Sequence, residues 1–190
     1  MPVSKFEDFA ENMMHEFRFI DTAIDKVGYK VDGEGIKTHC KCRTLKSVDY
    51  FYEHDADLSL VEFSDLPAQH DQIKRRIECL MQSDMDKKEK IRFVKDVSST
   101  IHQEMRKKYI DSLHIISGME GNIHDVPDWV KKTKGKYFIV VPPMLNDAPE
   151  DKRAEISRML DMLKNDLSLA IPEHLFVSVS VTQLPEFLSN

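Results

Sequence analysis

The sequence predicts a mixed α/β domain over residues 1–190, with helices packed around a central mixed β-sheet. Three observations predict it. Apolar residues recur every three or four positions near both ends of the chain; short runs with strand character, broken by Asp/Gly turns, fill residues 29–64; and one strongly apolar β-branched run stands at 137–141. The implied order is helix, three or four strands, long helices, strand, helix, strand.

The first stretch has apolar residues at Phe6, Phe9, Ala10, Met13, Met14, Phe17, Ile20, Ile24 and Val27, which predicts one helix with a single buried stripe. Ser4 and Glu7 make a capping-box pattern, and Gly28 stands where a C-terminal cap would. The turn cluster Asp32-Gly33-Glu34-Gly35 predicts a hairpin of strands near 29–32 and 36–44. A second strand pair is expected at about 47–53 and 58–64, joined by His54-Asp55-Ala56-Asp57. Pro67 ends that strand and opens a helix, and residues 68–117 read as helical in at least two pieces, broken near Ser83-Asp84. After a loop with Gly118, Gly121 and Pro127, Lys136-YFIVV reads as a buried central strand stopped by Pro142-Pro143. Ile156, Met159, Leu160, Leu163 and Leu167 predict a helix over 149–169. LFVSVSV at 175–181 alternates like a strand.

With 190 residues, 41% of them hydrophobic and 32% charged, the chain can bury one substantial core. No apolar run approaches the roughly 20 residues that span a bilayer, and the N-terminus lacks the basic-then-apolar order of a signal peptide, so no membrane partner and a cytoplasmic location are expected. The net charge of −6 argues against indiscriminate coating of nucleic acid. Basic clusters nonetheless occur at 73–76, 87–95, 106–108 and 131–136, as either a local basic face or solvated helix faces with interleaved acids. Three cysteines make no disulfide framework, and His39-Cys40-Lys41-Cys42 lacks the second pair of ligands of a structural zinc site. No phosphate-cradling glycine motif is present.

Glu62 interrupts an otherwise apolar strand, and an ionised carboxylate there needs a cation, a hydrogen-bonding partner or water. Lys46 and Arg43 are partners within reach in sequence. Asp49 begins the preceding strand. Asp49 and Glu62 sum to the same number as Glu53 and Leu58 on either side of the turn, so one antiparallel register brings the two carboxylates face to face. Two carboxylates that close repel unless a divalent cation or a proton lies between them.

A helix, then hairpin strands with Asp49 on one and Glu62 on the next, within LVEFSDL, then another helix, resembles the PD-(D/E)XK nuclease superfamily. The resemblance covers residues 5–82 and implies a restriction-endonuclease-like fold, Mg²⁺ or Mn²⁺ held by Asp49 and Glu62, and hydrolysis of nucleic-acid phosphodiesters. The lysine that usually stands two positions after the glutamate is replaced by Ser64. In members that carry it on the following helix, as in viral cap-snatching endonuclease domains, Lys74 takes the corresponding place. Those domains also draw a metal ligand from the first helix, where Glu11 and His15 lie four apart. The resemblance thus implies Asp49, Glu62 and Lys74 as catalytic residues and Glu11, His15, Asp49 and Glu62 as metal ligands.

The sequence supports an alternative: a non-catalytic protein-interaction or regulatory domain of similar architecture. Ser64, the acidic balance and ten methionines favour it. A broken stripe of Ile91, Val94, Ile101, Met105 and Ile110 suits pairing with a second copy, making a homo-oligomer a further expectation.

Overall fold

In this computed structural model, residues 4–132, 135–144, 148–172, 175 and 178–189 are described. From the N-terminus, strand β1 (Ser4–Lys5) leads into a 3-10 turn at Phe6–Phe9, then β2 (Ala10–Asn12) and β3 (Val27–Lys30). A short helix α1 (Ile36–His39) precedes the hairpin β4 (Tyr50–His54) and β5 (Asp57–Phe63). Three successive helices follow, α2 (Leu66–Gln82), α3 (Lys87–Ser98) and α4 (Thr100–Gly118). The chain continues through β6 (Ile123–His124), a second 3-10 turn at Asp128–Lys131, β7 (Lys136–Val141), α5 (Glu150–Ala170), β8 (Ser178–Gln183) and α6 (Leu184–Ser189).

Six strands form one mixed sheet in the order β2-β3-β4-β5-β7-β8, antiparallel up to β5 and parallel from β5 to β8. The two parallel steps are crossovers, one carrying α2, α3 and α4 and the other α5, as parallel neighbours require. β1 and β6 make a separate parallel pair. The mixed α/β architecture expected from the sequence is therefore the architecture observed.

Alternation along the central strands sorts side chains onto two faces. Phe51, Leu58, Leu60, Tyr137, Ile139 and Val141 pack with Ile101, Met105 and Tyr109 of α4 and Leu163 and Leu167 of α5. Tyr50, Val61, Phe138 and Val140 pack on the other face with Met13, Phe17, Ile24, Leu184 and Phe187.

The first predicted helix is not there. Its apolar residues are mostly buried, but they serve two cores: Phe6 and Phe9 belong to the α4 side, Met13, Phe17 and Ile24 to the opposite side. A helix presents one stripe to one layer, so this division requires an extended path over the sheet edge. Gly28 caps nothing. It lies in β3, where an added Cβ would stand 2.8 Å from Met13 Cε and 3.1 Å from Tyr50 Cδ1. The strand expected at 36–44 is α1 and a series of turns, begun by Gly35 and closed by Cys40 N–H donating to Ile36 O at 2.9 Å. The break in the long helical region falls where expected, with Asp65 capping α2 by accepting from Ala68 N–H at 3.0 Å. Of the last predicted strand, Phe176 and Val177 lie outside the described residues, and α6 follows it without a sequence expectation.

Candidate active site

The β4–β5 hairpin has the register the residue numbers imply: His54 faces Asp57, Glu53 faces Leu58 and Tyr50 faces Val61. Its two-residue turn, Asp55-Ala56, has φ of 56° and 61°, the mirror-image geometry whose twist matches that of the flanking strands. One step before β4, Asp49 continues the ladder: its N–H donates to Val61 O at 3.1 Å, and its Oδ2 accepts from Phe63 N–H at 2.7 Å. Asp49 and Glu62 therefore lie across from each other, on the face covered by α4.

Glu62 is 2% exposed. Its Oε1 accepts from Lys108 Nζ of α4 at 2.5 Å, while Oε2 is buried with no partner among the described residues. Burial, then the charge of Asp49, pushes the Glu62 carboxyl up to about 8, with Lys108 pulling the other way. Asp49 is raised as well, chiefly by burial, against the Phe63 N–H and Lys108. At Lys108 burial works to lower the pKa, but Glu62, Asp49 and Glu104 outweigh it and hold the ammonium above its usual range. The three groups line a cavity of about 320 Å³ together with Glu16, Ser64, Gln69 and Glu104.

α4 is fastened to the strand that carries Asp49. Ser112 Oγ accepts from Val48 N–H at 3.0 Å and donates to Lys108 O at 2.7 Å, and Asp111 Oδ2 accepts from Lys46 N–H at 2.9 Å. The same turn of helix thus fixes both the cation and the start of the carboxylate strand. Ser64 is buried and accepts from Gln69 Nε2 at 3.0 Å, which occupies it structurally.

Of the residues singled out in the sequence, Asp49 and Glu62 come together, and the other three do not join them. Lys74 lies on the outer side of α2, bonded to both oxygens of Glu155 on α5 at 2.8 and 3.0 Å. Glu11 is in β2, accepting from Lys30 Nζ at 3.1 Å and Tyr50 OH at 2.9 Å. His15 follows β2 in an irregular segment and stacks on Phe17 at 4.6 Å. It lines an adjoining cavity of about 350 Å³ that shares Asp49 but not Glu62, and its Nε2 is buried without a partner. Glu11 and His15 share no helix face because no helix forms there.

Lys108 is the residue the sequence reading passes over. Its signal is present: Ile101, Met105, Ser112, Ile115 and Met119 are the buried stripe of α4 and its C-terminal end, and Lys108 falls in that stripe at the three–four spacing. A cation at a core position calls for a buried anion opposite it.

A buried and a half-buried carboxylate, the first with an unused oxygen among the described residues, are a fitting donor set for Mg²⁺ or Mn²⁺, since Mg²⁺ is commonly held by one or two carboxylates and completes its shell with water and substrate phosphate. Among the described residues no group of three or more His, Cys, Asp or Glu side chains is arranged to hold a metal ion, so a purely protein-made cage is not the arrangement offered. Among the described residues, too, no helix is long and apolar enough to cross a membrane. No family model matches the chain, and neither a curated protein nor a solved structure matches it.

Proposed function

We propose that this chain is a metal-dependent nuclease-like domain acting on nucleic-acid phosphodiesters. Asp49 and Glu62 would hold Mg²⁺ or Mn²⁺, and Lys108 stands in for the lysine that Ser64 replaces. The observation that carries the reading is Glu62: a carboxylate on a central strand, opposite Asp49, with one buried oxygen unpartnered and the other on a lysine. Buried polar atoms are in the large majority hydrogen-bonded, so an unpartnered buried carboxylate oxygen favours a further ligand. The metal would supply Lewis-acid stabilisation of a phosphoryl oxygen and a more acidic bound water. The chain's own residues do the rest. Phe63 N–H fixes the Asp49 carboxylate, and Lys108 holds positive charge where negative charge develops on the phosphate.

The test is thermal unfolding in rising Mn²⁺ or Mg²⁺, for the native chain and Glu62→Ala. A ligand at a hundredfold excess over Kd stabilises by about 2.7 kcal/mol, which moves the midpoint of a chain this size by roughly 5–10 °C. The expected result is a rise that Glu62→Ala abolishes, together with phosphodiester cleavage that Lys108→Ala removes. No rise at millimolar metal would refute the metal site and leave the alternative of a binding domain, which Ser64 and the closed Lys108–Glu62 pair then favour.

A further inference from the structure

Helix α3 has five basic residues, Lys87, Lys88, Lys90, Arg92 and Lys95, against two acids, Glu89 and Asp96. None of its twelve residues is buried, so packing does not explain why the chain keeps it; it leans on α2 and α4 without entering the core. Lys88, Arg92 and Lys95 recur at spacings of four and three, which places them in one row, and all three are exposed. Many lysines elsewhere are taken up in ion pairs, with Glu11, Glu104, Glu155, Asp71 and others, although Lys26, Lys41, Lys164 and arginines such as Arg75, Arg76 and Arg106 make none among the described residues. None of Lys88, Arg92 and Lys95 is paired among the described residues. Ile91, 62% exposed, flanks the row.

We infer that this face of α3 is the docking surface for the backbone of a single-stranded nucleic acid, leading it to the cavity of Asp49, Glu62 and Lys108. The inference rests on the nuclease-like reading and adds a substrate-binding surface to it. On a chain of net charge −6 a polyanion is repelled by the body as a whole, so a fully exposed helix with five basic residues against two acids, three of the cations in one row, offers it a place to settle. The row spans about 10 Å along the helix, a ridge without a groove, which suits one strand. The cavity of Asp49, Glu62 and Lys108, about 320 Å³, admits a nucleotide-sized group and not a duplex. Ser99 alone links α3 to α4, and Lys108 lies about 12 Å along α4 from its start.

The experiment measures binding of a fluorescent mixed-sequence 20-nucleotide single-stranded DNA in EDTA, where the metal site plays no part. It compares the native chain, the Lys88→Gln/Arg92→Gln/Lys95→Gln variant, and a control with the same charge change, Lys5→Gln/Lys131→Gln/Lys164→Gln. Because α3 buries nothing, the variant keeps its fold, which its thermal midpoint verifies. The α3 variant should bind at least tenfold more weakly. Its plot of log affinity against log salt should be shallower by about 2, at roughly 0.7 per lost phosphate contact, with the control within twofold of native. Equal losses in both variants, an unaffected α3 variant, or a native chain that ignores the oligonucleotide (the outcome for a surface that docks a protein instead) would each overturn the inference. Retained Mn²⁺ stabilisation in the α3 variant separates the two proposals. Salt-sensitive binding lost with the α3 row, alongside no metal response in the native chain, upholds the surface and refutes the metal site.

Discussion

Replacing Glu62 by Gln tests the electrostatics of the site without any metal. The carboxyl goes from an ordinary value of 4.5 to about 8 in the folded chain, chiefly because it is buried. A raised folded pKa means that the native state holds the proton more tightly than the unfolded one. The group's favourable contribution is then fully present below about 4.5 and is lost as pH rises through 8, at about 1.4 kcal/mol per pH unit. Between pH 5 and pH 8 the native chain should lose on the order of 4 kcal/mol from this group alone. Glu62→Gln keeps the shape and an oxygen for Lys108 but has no proton to lose. In urea unfolding with EDTA present, the two proteins should be close in stability at pH 5. By pH 8 the variant should lead by roughly 1 M or more in midpoint, taking a slope of 1–3 kcal/mol/M. Effects of titrating groups that do not interact with Glu62 cancel in the difference, which leaves Glu62 and its coupling to Asp49 and Lys108. A constant difference across that range would refute the reasoning, because it would mean that Lys108 fully compensates the buried charge.

Three further substitutions address residues whose surroundings the sequence did not show. Gly28→Ala should cost about 1–3 kcal/mol by crowding Met13 and Tyr50, and Met13→Ala about 2–5 kcal/mol. The double variant should be less destabilised than the sum by at least about 0.5 kcal/mol, whereas strict additivity in chemical denaturation would place the two residues apart. Lys74→Ala should move the thermal midpoint by no more than about 2 °C, since its partner pair is half exposed, and should leave the metal response intact. In the same variant the Glu155 carboxyl, held down to about 2 by Lys74 and then His70, should climb toward its ordinary value. Its stabilisation, present above about 4.5 and lost as pH falls toward 2, should shrink accordingly, as titration by NMR would show.

The hairpin with Asp49 and Glu62 was legible because everything that sets it is local: a polar two-residue turn, alternation on both sides, and a register fixed by that turn. The apolar strand at 137–141 and the helix of α5 were legible for the same reason. The N-terminal segment was not, because a three–four spacing of apolar residues records burial and not the number of cores that share it. Phe9 and Met13, four apart, end on opposite sides of the sheet. The placement of the lysines has another cause. Lys74 and Lys108 both sit in basic runs on helices after β5, and what separates them is the partner each meets. Lys108 finds Glu62 across 46 residues and Lys74 finds Glu155 across 81, pairings that only the crossover packing decides.

That separation along the chain also orders the folding of the site. A hairpin with a two-residue turn closes on a timescale of roughly 1–10 μs, whereas Lys108 reaches it only once a 46-residue crossover has condensed. In the interval Asp49 and Glu62 face each other with no cation between them, so the nascent hairpin works against its own charge. The docking of α4 is the event that relieves it. The slow, non-local step of folding and the completion of the Asp49–Glu62–Lys108 cluster are then one step, and a chain that stalls before it carries the carboxylates without the lysine.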